Sequence, residues 1–174
     1  MAFEKAIEAG ADMIEMDCRL SKDGHVVVIH DDRLDRTARA KGFVKGKTLK
    51  QLKKLDVGAW LKKSFKGERI LTLEEILEIV SGKVEINLEI KSVLRGPLGI
   101  ELKVLFIVSH FDYLERAIFS SFDYQSLRRL RELAPDVRIG VLCGAGIKDN
   151  PFQAAREMNA YSLHIQREFA TPHF

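Results

Sequence analysis

Cysteine is scarce in this chain. Cys18 and Cys143 are the only two among 174 residues, and they form neither a metal-spaced pair nor a disulfide framework. Two ordinary thiols in an intracellular protein are the expectation. Long apolar runs are missing as well, since none approaches the ~20 residues of a membrane helix. Met1 to Gly10 reads as an amphipathic helix, with Phe3, Ala6 and Ile7 on one side, and not as a signal peptide. An excess of one charge is also absent: 28 Lys and Arg stand against 25 Asp and Glu, a net charge of +3. That balance argues against a nucleic-acid partner or an anionic membrane surface, as the lack of a long apolar run argues against stable membrane insertion. What is present, 46% hydrophobic and 30% charged residues, suits one soluble domain with a sizeable core. A cytoplasmic location is expected.

The chemistry-bearing stretch begins at Ile14-Glu15-Met16-Asp17 and returns at Val26-Val27-Val28-Ile29-His30-Asp31. Asp-Gly between apolar runs is a strong hairpin signal. A two-residue loop at Asp23-Gly24 would pair Lys22 with His25, and counting back would pair Asp17 with His30. Cross-strand partners share a face with β-carbons roughly 5 Å apart. Glu15 would share that face, because strand side chains alternate. The spacing thus predicts two acids and an imidazole in one place.

In chain order, residues 2–9 read as a helix stopped by Gly10. A strand at 13–17 and the hairpin follow. Residues 33–48 carry scattered charge and read as an excursion rather than core. Thr48 caps a short leucine-bearing helix over 48–55, and a loop runs from Gly58 to Gly67. Thr72-Leu73-Glu74-Glu75 is a capping-box sequence opening a helix that Gly82 ends. Residues 84–91 alternate strictly and read as a strand. Residues 98–109 read as a helix, although the run Val104 to Val108 fits a short buried strand equally well. Strands at 117–122, 138–143 and 161–165 alternate with helices at 124–133 and 151–158, before a polar tail. This alternation, at about 25 residues per unit, indicates parallel α/β architecture.

The strand at 84–91 divides into an apolar face (Val84, Ile86, Leu88, Ile90) and a polar one (Glu85, Asn87, Glu89, Lys91). An antiparallel strand with one wet face would look the same. Two strands with acids towards their C-terminal ends, where α/β folds build sites, favour a functional reading. Glu15, Asp17 and Glu89 would supply three hard oxygen ligands, which suit Mg²⁺ or Ca²⁺ better than zinc. Without a cation, clustered carboxylates repel and are driven towards protonation. Lys91 could neutralise an anionic group such as phosphate, or simply pair with Glu89. His30 is suited to proton transfer near neutrality, the bland alternative being a hydrogen bond to Asp31. His25 reads as solvated at the turn, His110 and His173 stand in no motif, and His164, late in a strand, is a weaker site candidate that reads as structural rather than catalytic.

These residues carry a family resemblance. The run Ala2-Phe3-Glu4-Lys5-Ala6-Ile7-Glu8-Ala9-Gly10-Ala11-Asp12, then Glu15-x-Asp17, Lys22-Asp23-Gly24 and His30-Asp31-x-x-Leu34-x-Arg36-Thr37, resembles the glycerophosphodiester phosphodiesterases. Thr72-Leu73-Glu74-Glu75, Asn87-Leu88-Glu89-Ile90-Lys91 and Ser121-Phe122-Asp123 continue the match in the same order. The resemblance implies a TIM (β/α)8-barrel fold with its site at the C-terminal strand ends. It implies Glu15, Asp17 and Glu89 as ligands of a divalent cation, Mg²⁺ or Ca²⁺, and Lys91 as the phosphate contact. His30 would be one of two catalytic histidines, and Phe122 would line the apolar side of the pocket. The implied reaction cleaves a glycerophosphodiester to glycerol 3-phosphate and an alcohol.

The family's first strand ends in His-Arg-Gly, and its counterpart would precede Met1. A full barrel typically takes ~250 residues, so residues 1–174 are expected to hold an incomplete one, about strands two to six plus a β-hairpin insertion. Edges beside 13–17 and 161–165 would invite pairing, hence homo-oligomerisation, swapping or instability. The alternative to an enzyme is an inactive barrel remnant that binds a divalent cation or phosphodiester without turnover.

Overall fold

A computed structural model describes residues 1–91, 99–147 and 149–170. Leu98, expected to open a helix, His173 and the end of the tail lie outside those residues. The chain builds α1 (Ala2–Glu8), β1 (Met13–Leu20), β2 (Val26–Val28), α2 (Leu49–Leu52), β3 (Leu71–Thr72), α3 (Leu73–Val80) and β4 (Glu85–Ile90). It continues through α4 (Ile100–His110), β5 (Ala117–Ser121), α5 (Tyr124–Leu133), β6 (Arg138–Cys143), α6 (Pro151–Glu157) and β7 (Ser162–Ile165). The ambiguous run Val104 to Val108 is therefore helix, and its Val104 and Val108, one turn apart, are both buried.

Seven strands form one sheet in the order β3-β2-β1-β4-β5-β6-β7. β1, β4, β5, β6 and β7 run parallel to their neighbours in that series. β2 and β3 are antiparallel additions beside the C-terminal half of β1. The apolar face of the parallel series, carrying Met16, Cys18, Ile86, Leu88, Phe119, Ile139 and Val141, packs in one core with Ile76, Leu77, Val104, Val108, Leu127 and Leu130 of the helices. The other face carries the alternate residues, among them Glu15, Asp17, Asn87, Glu89 and Ser120. Where strands meet helices on one side only, period-two alternation is the natural sequence. It leaves the second face free to be polar.

Local chemistry sets the helix starts. Thr72 and Glu75 satisfy each other's backbone N–H groups in a capping box, as do Thr48 and Gln51. Asp123 and Asn150 cap α5 and α6 by accepting from two backbone amides each.

Two expectations need correction. Residues 33–48 do contribute to a core: Leu34, Ala38 and Val44 bury with Val27, Leu52 and Ile70 in a second, smaller one. Their charged neighbours mask the pattern because the segment is irregular and obeys no single period. The hairpin register also differs by one residue. Cys18 faces Val28 and Leu20 faces Val26, while Ser21 donates its N–H to the His25 carbonyl and Gly24 donates to Ser21. The loop is thus the three residues Lys22-Asp23-Gly24, closed by Gly24 at φ +82°, a left-handed position glycine adopts without strain.

The edges also fall partly elsewhere. β7 borders the sheet at one side and β3 at the other. β2 covers β1 only at Cys18, Arg19 and Leu20. Among the described residues, Met13 to Met16 pair with β4 alone.

Candidate active site

β1 and β4 run parallel in a register that sets Glu15 beside Asn87 and Asp17 beside Glu89. One face of two adjacent strands therefore presents three carboxylates. Oxygen atoms of Glu15, Asp17 and Glu89 all lie within 4.8 Å of one another. Burial pushes the Glu15 carboxyl up to about 7, and the charges of Asp17 and Glu89 add to it. Lys91, two residues beyond Glu89, lies between the strands and donates to Asp17 Oδ1 at 2.9 Å and to Glu89 Oε1 at 2.5 Å. Burial opposes its charge, but the hydrogen bonds to Glu89 and Asp17 outweigh that, and the ammonium is held above its ordinary value. Among the described residues, Lys91 is the cation that bonds these acids. A cluster of hard oxygens with one carboxylate held towards its protonated form fits a divalent cation. Glu15, Asp17 and Glu89 are the residues that would hold it.

The corrected hairpin register removes the direct Asp17–His30 pairing, because Ile29 donates its N–H to the Asp17 carbonyl and takes that position. A one-residue slip turns a strand side chain to the opposite face. β2 ends at Val28, however, and His30 belongs to the turn beyond it. Its charge still reaches Glu15, lowering that carboxyl's affinity for protons. Arg19 secures the turn by donating from Nε and Nη2 to the His30 carbonyl at 3.0 and 2.7 Å. The imidazole Nδ1 lies 2.8 Å from Asp31 Oδ1. Arg36 in turn donates Nε to Asp31 Oδ2 at 2.7 Å and Nη2 to Oδ1 at 2.9 Å. The Arg36 guanidinium, with help from His30, holds the Asp31 carboxyl well below the usual carboxylate range.

Arg19 is a site residue that the sequence reading missed. It alternates in phase with Glu15 and Asp17, and that phase was the available signal. Burial lowers its pKa, opposed by Asp32, Asp17, Glu89 and Asp31, which places its charge between the acidic cluster and the His30 turn. Phe122 follows β5 and is 38% exposed, with its ring against Gly144, where an added Cβ would lie 3.1 Å from Cε1. The remaining histidines stay out of the cluster. His25 is exposed at the turn. His110 stacks on Phe106. His164 on β7 bonds Ser162 Oγ at 2.8 Å, with burial pushing its pKa down. Cys18 and Cys143 are both buried and free, and no helix of the described residues is long and apolar enough to cross a membrane.

Fold and site together define an α/β protein of the TIM-barrel type, incomplete over these residues, with three carboxylates on one face of two adjacent parallel strands, Asp17 and Glu89 of them in the C-terminal halves. Residues 1–173 match the model of the glycerophosphoryl diester phosphodiesterase family. The chain belongs to that family. It is 46% identical over 164 residues to a glycerophosphodiester phosphodiesterase of Caldanaerobacter subterraneus, covering 94% of this chain and 67% of that relative. To one from Bacillus altitudinis it is 41% identical over 145 residues, covering 82% of this chain and 59% of the relative. The chain therefore spans about three fifths to two thirds of these relatives' length. Among solved structures, an Oleispira antarctica phosphodiesterase in complex with the product sn-glycerol-3-phosphate matches with a TM-score of 0.86 and 29% identity, over 98% of this chain and 69% of that one. A glycerophosphodiester phosphodiesterase from Thermotoga maritima matches at TM-score 0.71 and 32% identity, over 94% and 65%.

Proposed function

We propose that residues 1–174 form a single partial barrel domain carrying the cation-binding part of a glycerophosphodiester phosphodiesterase site. The reaction is hydrolysis to glycerol 3-phosphate and an alcohol, in the turnover of lipid-derived diesters in the cytoplasm. The observation that carries the reading is the convergence of Glu15, Asp17 and Glu89 with Lys91 on one face.

In such a reaction an oxygen joins phosphorus, the bond from phosphorus to the alcohol oxygen breaks, and one proton leaves the nucleophile while another reaches the departing oxygen. A divalent cation bound by the three carboxylates would supply stabilisation of the charge that develops on the phosphoryl oxygens. Lys91 would turn part of its charge from Asp17 and Glu89 to the anionic phosphoryl group. His30 would move one of the protons. Phe122 would offer an apolar wall to the substrate.

The test is hydrolysis of glycerophosphocholine by the full chain with Mg²⁺ or Ca²⁺. Loss of about 10²-fold or more in rate is expected for His30→Ala, the scale of a general acid–base contribution, and a comparable loss for Glu89→Gln. Activity that survives both substitutions would refute the assigned roles. A chain that binds the cation but leaves the diester intact would favour the second reading, binding without turnover.

A further inference from the structure

We infer that Asp31, clamped by Arg36, is a positioning residue that fixes His30 in its Nδ1–H tautomer and leaves Nε2 as the nitrogen that moves the proton. The part of this inference that concerns turnover rests on the role proposed above for His30. The tautomer itself does not.

The argument is one of donors and acceptors. An ionised carboxylate only accepts hydrogen bonds. Arg36 approaches both Asp31 oxygens, Nε to Oδ2 at 2.7 Å and Nη2 to Oδ1 at 2.9 Å, a two-pronged contact that a guanidinium makes best to a carboxylate. Asp31 is therefore an acceptor at Oδ1 as well as Oδ2. His30 Nδ1, 2.8 Å from Oδ1, has to be the donor, so in the neutral imidazole the lone pair sits on Nε2. The same logic makes a buried carboxylate fix the tautomer of a catalytic histidine in other hydrolases.

The clamp is itself anchored. The Asp31 side chain is 19% exposed, and the Arg36 guanidinium lies 5.2 Å from the centroid of the Trp60 ring. Trp60 is pinned by its Nε1–H to the Val57 carbonyl at 3.0 Å. On the other side, the His30 carbonyl is held by Arg19 of β1. The imidazole side chain, by contrast, is 70% exposed. Among the described residues, the hydrogen bond to Asp31 is the side-chain contact that can choose between its two nitrogens.

The tautomer can be read from the imidazole ¹⁵N shifts of the whole chain at about pH 8.5, where an ordinary histidine is neutral. The His30 signals are those missing from His30→Gln. The expected result is a protonated Nδ1 and an unprotonated Nε2 in the wild type, lost in Asp31→Ala and retained in Asp35→Ala, which removes an exposed carboxylate from the same turn. A wild-type His30 protonated at Nε2, or a pattern unchanged in Asp31→Ala, would overturn the inference, and the first needs no variant to fold. On glycerophosphocholine, Asp31→Ala is expected to lower kcat by about 10–100-fold while KM moves less than about twofold. An unchanged kcat overturns the positioning role. A wild type without turnover defeats the proposed function but leaves the ¹⁵N result to decide the tautomer.

Discussion

At the scale of single residues, the site is a problem in charge balance. Glu15, Asp17 and Glu89 share one face, and Lys91 alone among the described residues bridges two of them. The result is visible at Glu15, whose carboxyl is raised from 4.5 to about 7 by burial and by its acidic neighbours. A carboxyl raised on folding binds its proton more tightly in the folded state, so its contribution to stability is complete below the unfolded value. That contribution is lost as pH climbs through the folded one. In chelator-treated protein the melting temperature is therefore expected to fall between about pH 4.5 and pH 7. Glu15 is exposed, and water moderates the size of that slope. Glu15→Gln, which mimics the protonated form, should flatten the profile and melt higher than wild type at the alkaline end. Parallel profiles for the two proteins in a pH series of thermal melts would show that Glu15 carries no such strain.

At the scale of elements, the hairpin decides where the His30 turn lies. Asp-Gly pointed to a hairpin, and one forms, but the number of loop residues is set by the conformation of Gly24. With Gly24 at φ +82°, Ser21 and His25 pair, and every partner along β1 and β2 shifts by one from a two-residue loop. The Lys103 ammonium of α4 then reaches the Gly24 carbonyl at 2.6 Å. A Cβ at this position would lie 2.7 Å from that same Nζ. Gly24→Ala should therefore destabilise the chain by about 1–2 kcal/mol, the penalty for a side chain in the left-handed region, with some shift of the flexible Lys103 side chain. Denaturant unfolding measures this, and an unchanged midpoint would mean that the turn readily adopts another form.

Across the whole molecule, the sheet is covered by helices on one face and carries its chemistry on the other. Folding has thus gathered three acids on a surface that gains little from packing. A cation that binds the folded cluster and not the unfolded chain should stabilise by about 2.7 kcal/mol at a hundredfold excess over its dissociation constant. For a chain of this size that is about 5–10 °C in melting temperature. Mg²⁺ and Ca²⁺ titrations followed by thermal melts test it, with Glu89→Gln as the variant expected to lose most of the gain. An equal gain in wild type and variant would place cation binding elsewhere.

Much of this was legible before any coordinates. Strict alternation at 84–91 located β4 and gave Glu89 and Lys91 a common face, because a strand's period of two is a property of the backbone alone. Capping residues at Thr48 and Thr72 marked helix starts for an equally local reason, the unmatched amides of a first turn. Glu15 and Asp17 followed from the same alternation in β1. Three things lay beyond the sequence. Asp17 and Glu89 meet through the register of two strands separated by more than sixty residues, which no local period encodes. The second core around Leu34 and Val44 forms from an irregular segment, where burial depends on what folds over it. Last, the His30 turn depends on one glycine dihedral and on Arg19 and Arg36 reaching it from β1 and from the following loop. The sequence by itself determined which residues are acidic, basic or apolar and on which face of each strand they stand. Only tertiary structure decided which faces meet, because strand register and side-chain clamps are contacts between distant parts of the chain.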